Sequence, residues 1–304
     1  MAPSVLVIGA SGTVGRPLMQ EFLAQKNDFN RVAVLADPAK TARFAEIQAQ
    51  GIEAVVGSFL ESSSYKGFDT VIALAGDSTL KLQPGMIDAS IAGGVRHFYP
   101  SELTTDLSRG DIGKKRYYRD KIATREHLRQ RAREVSGFKY TILTTGGFTE
   151  YVTIPFNNID VEKHTASPYG YPDALTSLTA MPDIMRYLVK SILLPFDNPT
   201  QSSRILRVVG ETLTFAQVLT TLEQVQGVNY DIKYLDPREA AENEEAARVA
   251  EDAEAEVYWS GKTLFATGVA YVPGPLDNAR FDFVPETVRE TMQRLFGFGK
   301  DHGE

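Results

Sequence analysis

The stretch SVLVIGASGTVGRPLMQEFL (residues 4–23) contains, in order, an apolar run, a three-glycine corner and a segment with apolar positions at helical spacing. An uninterrupted run such as VLVIGA suits a strand buried on both faces. In RPLMQEFLAQ the apolar positions fall on one side of a helix. Between them stand Gly9, Gly12 and Gly15, spaced G-x-x-G-x-x-G. At a strand-to-helix junction, glycines allow a tight turn and a close approach of backbone to ligand. The helix N-terminus adds unpaired N–H groups and the positive end of its dipole. Ser11 and Thr13 bring hydroxyl donors, and Val14 and Arg16 complete the corner. The chemistry this favours is cradling the pyrophosphate of a dinucleotide; the alternative is an ordinary turn.

The rest of the chain supplies context. Short β-branched runs (RVAVLAD, IEAVVGS, DTVIALA, HFYPSE and KYTILTT) alternate with segments long enough for crossover helices through the first half. This repeated βα pattern predicts an α/β fold, a doubly wound parallel sheet with helices on both faces. Ligands of such sheets bind at the carboxyl ends of the strands, where the glycine corner, ADPAK, ALAGDS with Ala75, and YPSE would converge. After Gly147 a proline- and aromatic-rich stretch (YVTIPFNNIDVEKHTASPYGYPDA) reads as a substrate-side loop with little regular structure. LTSLTAMPDIMRYLVKSIL then predicts a short strand and a helix begun near Pro182 and Asp183. In RILRVVGETLTFAQVLTTLEQVQG the same pattern recurs, with Thr214 as N-cap and Gly227 as the stop. The expected division is a dinucleotide-binding domain over 1–150, joined by a returning segment near 174–195, and a smaller α+β substrate domain over 151–304.

Composition narrows the function. The chain has 304 residues, a formal net charge of -7 and no cysteine. There is therefore no thiolate chemistry and no general basic field for nucleic acid. His97, His127, His164 and His302 share no metal-ligand spacing, so no metal is expected. No apolar run approaches the ~20 residues of a membrane span, and the first residues lack a signal-peptide pattern. A cytoplasmic protein with small-molecule partners is expected. Residues 236–256 carry nine acidic and two basic residues and read as a solvated helix, with a partner-docking face as the alternative.

If the dinucleotide were a nicotinamide delivering hydride, a proton source would be needed opposite it. RYYRDKIATREHL offers Tyr117-x-x-x-Lys121, which on a helix would share one face, the ammonium beside the phenol. Tyr258 and Lys262 repeat the spacing, but only the first copy lies between the FYPSE and KYTILTT strands; the second is expected to be structural. Ser101 and Glu102 would shape the site rather than react. Phe148, Tyr151, Phe156, Tyr169 and Tyr171 would line an aromatic pocket or pack in the core.

At GVRHFYPSEL the chain resembles the NmrA-like and isoflavone-reductase-like group of atypical short-chain dehydrogenases. The likeness rests on Gly94, Val95, Phe98, Pro100, Ser101 and Glu102, with the first corner and SLTAMPDIMRYL. It implies a Rossmann domain, a nicotinamide cofactor usually carrying a 2′-phosphate, a small substrate domain and a catalytic lysine at the position of Lys121. It also implies a rival function, a non-catalytic dinucleotide-binding redox sensor acting on a protein partner. The family commonly places an arginine at the end of the second strand, where this chain has Ala36. Asp37 there would bind ribose hydroxyls and favour NAD, whereas Arg16, Lys40 or Arg43 would supply the charge for NADP, the cofactor expected here.

Overall fold

The computed structural model describes residues 2–76 and 79–297. Asp77 and Ser78 of the ALAGDS stretch, and His302, lie outside the described residues. The chain divides into two compact units.

The first unit comprises Met1–Glu102, Asp120–Leu143 and Met185–Leu206. Its strands are β1 (Ser4–Ile8), β2 (Arg31–Ala36), β3 (Glu53–Val56), β4 (Thr70–Ala73), β5 (His97–Tyr99) and β6 (Lys139–Thr144). With an edge strand at Ser203–Arg207, they form a seven-stranded sheet. From that edge inward, the order continues β6, β5, β4, β1, β2, β3. All five register pairs among β1 to β6 are parallel. The strand order reverses between β1 and β4, the switch point of a doubly wound sheet. All five residues of β1 are buried, as a central strand covered on both faces requires. Helix α1 (Gly15–Ala24) buries Leu18, Met19 and Phe22. The helices α2 (Ala45–Ala49), α3 (Gln83–Ala92) and α4 (Arg119–Glu134) follow. A core of Leu6, Ile8, Leu35, Val71, Met86, Phe98, Leu128 and Ile142 joins sheet to helices.

The second unit comprises Leu103–Arg119, Thr144–Ile184 and Arg207–Glu304. Residues 103–119 thus go with this unit, and the segment returning to the first is 185–206, where the sequence suggested a cut at 150 and a return over 174–195. It holds two three-stranded sheets. One has Leu175–Thr179 between Glu211–Thr214 and Gly147–Phe148. The other has Thr165–Ala166 between Asp231–Ile232 and Ile159–Asp160. Part of the stretch read as irregular therefore forms short strands. The helix expected near Pro182 runs Met181–Leu193. Thr214 caps Phe215–Gln226 in a reciprocal capping box with Gln217, and Gly227 ends that helix at φ 68°. A core around Val152, Leu178, Phe215, Leu219, Leu222 and Met292 lies within the second unit.

The acidic stretch is not one helix. It forms Pro237–Val249 and the start of Ala253–Gly261, each capped by an aspartate, Asp236 and Asp252. The break comes at Glu251, which takes a left-handed φ of 57°, and the Asp252 carboxylate then accepts the Ala255 N–H at 3.0 Å. Ala240 and Ala247 are buried, so the stretch has an inner face. Lys262, of the second Tyr–Lys pair, donates to Phe156 O and to Asn158 Oδ1 and lies over the rings of Phe156 and Tyr258. That is a structural role.

His97 opens β5, the strand leading to the YPSE turn, with Nε2 2.8 Å from Thr141 Oγ1. Burial, then the charges of Arg204 and Lys139, push its pKa down to about 3. Between pH 6.5 and 3 the unfolded chain would bind a proton that the folded chain refuses, so stability falls as pH falls through that window. From pH 7 to pH 5 the loss attributable to His97 is up to about 2 kcal/mol. Urea unfolding midpoints of wild type and His97→Gln at the two pH values check this; the variant should lose less stability on acidification.

Candidate functional site

The three glycines of the corner differ in what requires them. Gly9 has φ 82°, and a Cβ there would lie 2.2 Å from Leu74 O. A Cβ on Gly15 would lie 2.4 Å from Gly9 O. Both are therefore needed by the protein's own packing. Gly12 is exposed, and a Cβ there would meet only Gly9 O, at 3.3 Å. What a side chain at Gly12 would obstruct is the space outside the chain. Around it, Gly12 N–H donates to Gly9 O at 3.0 Å and Arg16 N–H to Gly12 O at 3.1 Å. Among the described residues, no acceptor takes the N–H groups of Ser11, Thr13 or Val14. The α1 N-terminus has no side-chain cap and no acidic residue in its first turn. Donors and dipole are thus available to an anion approaching from solvent.

At the end of β2, Asp37 uses its carboxylate to accept the Ala39 N–H at 2.8 Å, capping the 3-10 turn Pro38–Phe44. Asp37 and Pro38 thus open a turn. Lys40 and Arg43 on this turn, and Arg16 on α1, are exposed. Among the described residues no carboxylate pairs with any of the three, which leaves a set of unneutralised cations in the first unit.

The third element is the Pro100–Ser101–Glu102 turn after β5. Glu102 N–H donates to Pro100 O at 2.8 Å, closing a three-residue turn. Ser101 N–H donates to Gln83 Oε1 at 2.8 Å, and Ser101 Oγ to Ala75 O at 2.9 Å. Ala75 thus supports the turn through its carbonyl. Lys121, on the first turns of α4, donates from Nζ to Ser101 O at 2.5 Å and to Glu102 O at 3.3 Å. One helical turn on, Arg125 grips the Glu102 carboxylate with two bonds, Nε to Oε1 at 3.0 Å and an Nη to Oε2 at 2.8 Å. Both side chains are nearly inaccessible, 4% and 1% exposed. Removing one partner of such a pair would cost about 3–5 kcal/mol, because the other charge stays buried.

Tyr117 is not on the helix of Lys121, contrary to the one-face expectation. It lies in the 3-10 turn Arg116–Tyr118, and α4 begins only at Arg119. That turn is held within the second unit. Lys115 Nζ donates to Thr263 Oγ1 at 3.0 Å, Arg116 pairs with Glu256 at 3.4 Å, and Tyr117 N–H donates to Ser260 Oγ at 3.2 Å. Burial lowers the Lys115 pKa, and Glu244 opposes the shift. The Tyr117 ring stands edge-on to Tyr118. The inner side of the acidic region is thus engaged with residues 115–117.

The five aromatics do not all gather together: Phe148 stacks on Tyr151, Phe156 and Tyr169 are joined edge-on through Tyr258 and Trp259, and Tyr171 is 52% exposed. Gln83 and Arg125 are the positions that sequence reasoning missed. A buried arginine in RDKIATREHLRQRARE cannot be told from its solvated neighbours by pattern, although its place four residues after Lys121 was a usable sign. No group of three metal-ligating side chains occurs among the described residues. Nor is any helix among them long and apolar enough to cross a membrane.

Comparison with known proteins adds relatives to this geometry. A family model described as the NmrA-like family matches residues 1–264. Oxidoreductase aprR of Aspergillus flavus is 26% identical over 242 residues, 79% of each chain. Phenylcoumaran benzylic ether reductase POP1 of Populus trichocarpa is 26% identical over 267 residues, covering 82% of this chain and 83% of the relative. Among solved structures, the binary complex of leucoanthocyanidin reductase with NADPH from Vitis vinifera superposes with a TM-score of 0.75 at 18% identity. The match covers 96% of this chain and 99% of that one, and shows a shared fold.

The unequal demands on the glycines are testable by stability. Gly9→Ala forces a left-handed side chain against Leu74 O and should cost more than the roughly 1–2 kcal/mol of backbone strain alone. Gly12→Ala should leave the thermal midpoint nearly unchanged. Equal destabilisation of the two in thermal unfolding would contradict the assignment.

Proposed function

The chain belongs to the NmrA-like family, and from that premise we propose that it is an NAD(P)H-dependent oxidoreductase. Its proposed substrate is a small aromatic or quinone-like carbonyl, imine or enone. The observation that carries this reading is the open corner. The N–H groups of Ser11, Thr13 and Val14 and the N-terminus of α1 suit a pyrophosphate, and Gly12 leaves the room for it. NADP is favoured over NAD because Arg16, Lys40 and Arg43 are exposed and offer charge for a 2′-phosphate.

When bound, the nicotinamide supplies the hydride. Lys121 then has two proposed tasks: steadying the negative charge that develops on the substrate, or delivering its proton directly or through water. Its ammonium also suits the nicotinamide ribose. Tyr117 is the alternative proton donor, carried by the second unit. The dinucleotide is assigned to the first unit. Two relatives named as an oxidoreductase and a benzylic ether reductase support the reaction class.

NADPH oxidation against a panel of quinones, enones and aromatic aldehydes tests the proposal. Lys121→Ala should lower turnover about 10²-fold or more, the scale of positioned acid–base catalysis, with a smaller loss of dinucleotide affinity. Tyr117→Phe, which keeps the ring, separates the two proton donors: a large rate loss assigns the proton to Tyr117, and a negligible one to Lys121 or water. Wild-type protein that binds NADPH but oxidises it with no substrate would overturn the enzyme reading in favour of a sensor. Gly12→Val should abolish dinucleotide binding while retaining the fold. Lys40→Ala or Arg43→Ala should weaken NADPH binding by about 1–3 kcal/mol and leave NADH binding unchanged, as measured by fluorescence titration.

A further inference from the structure

We propose that Arg125 is a positioning residue for Lys121, acting through the backbone of Ser101 and Glu102; the inference rests on reading Lys121 as the working cation of the site. A lysine head group ends a flexible four-carbon stem, and half-buried on a helix it can occupy several rotamers. Two of the contacts that select one here are to backbone acceptors, Ser101 O and Glu102 O. The place of the ammonium therefore depends on the place of those two oxygens.

They are fixed from several directions. Gln83 takes the Ser101 N–H and Ala75 O receives the Ser101 hydroxyl. Gln83 in turn reaches Thr124 Oγ1 on α4 at 3.4 Å, and Thr124 Oγ1 is bonded to Asp120 O at 2.8 Å. Glu102 N–H closes onto Pro100 O. The remaining freedom of Glu102 is rotation of its side chain and main chain about Cα, and the two-pronged Arg125 contact removes it. A planar fork on a carboxylate fixes orientation as well as distance. Arg125 follows Lys121 by one helical turn, so the same face of α4 holds the dipeptide twice, once at its carbonyls and once at its carboxylate. Loss of the fork would let Glu102 pivot and release the carbonyls from the ammonium.

The test reads the lysine itself, without dinucleotide or substrate. Wild type, Arg125→Lys and the neutral double variant Glu102→Gln/Arg125→Met are labelled with trinitrobenzenesulfonate at limiting reagent. Peptide mass spectrometry then gives the labelling of Lys121 relative to exposed Lys40 in the same chain. In wild type Lys121 should label more slowly than Lys40. The Lys121-to-Lys40 ratio should rise about twofold in Arg125→Lys, which keeps the buried charge but not the fork, and at least fivefold in the double variant. An unchanged ratio in folded protein, judged by circular dichroism, overturns the proposal. If the double variant fails to fold, Arg125→Lys alone decides. Failure of the catalytic reading would show separately, as normal turnover in Lys121→Ala, and would leave the labelling result standing.

Discussion

The first unit depends on how closely the chain passes itself where β1 ends. Gly9 sits at φ 82° with Leu74 O in the space a side chain would need, and Gly15 faces Gly9 O just as closely. These two contacts let the backbone reverse within a few residues and start α1 directly above the sheet. Among the described residues the N–H groups of Ser11, Thr13 and Val14 have no acceptor, and the helix begins without a side-chain cap. The switch of strand order between β1 and β4 places this corner where an α/β sheet accepts ligands. The least constrained of the three, Gly12, is the exposed one.

A second grip organises the end of β5. The YPSE turn is held by Gln83, Ala75 and Arg125, and it in turn holds Lys121. Corner and turn belong to one unit and follow β1 and β5 of one parallel sheet, with β4 between them. The second unit has its own internal support: the 3-10 turn bearing Tyr117 is fastened to Glu256, Ser260 and Thr263. The acidic helices thus have an inner face engaged in structure and an outer one solvated.

Much of this was legible in the sequence because it depends on period and spacing. The buried run of β1, the βα alternation, the three glycines, the Thr214 cap and the Gly227 stop all follow from local rules, and the structure has each of them. What local rules missed were decisions made by partners distant in the chain. RYYRDKIA has helical spacing throughout, yet Arg116 and Tyr117 stay in a 3-10 turn because residues 256–260 hold them. The acidic stretch is helical in composition, but Asp252 caps a new helix where one continuous helix was expected. Arg125 is indistinguishable from a surface arginine until its partner, Glu102, is seen beside it. Asp37 is equally suited to a ribose or a turn by type alone, and its bond to the Ala39 N–H, made by one carboxylate oxygen, is set by the local turn.

We propose that the open corner and the cations beyond β2 together take a dinucleotide bearing a 2′-phosphate. The most direct measurement is an equilibrium titration of the wild-type chain with NADPH, followed by nicotinamide fluorescence and competed with 2′,5′-ADP. The account predicts saturable binding of one NADPH per chain, displaced by 2′,5′-ADP far more effectively than by 5′-ADP, and weakened by added salt as exposed charges are screened. Absence of saturable binding at millimolar NADPH would contradict it, as would equal competition by the two adenosine phosphates.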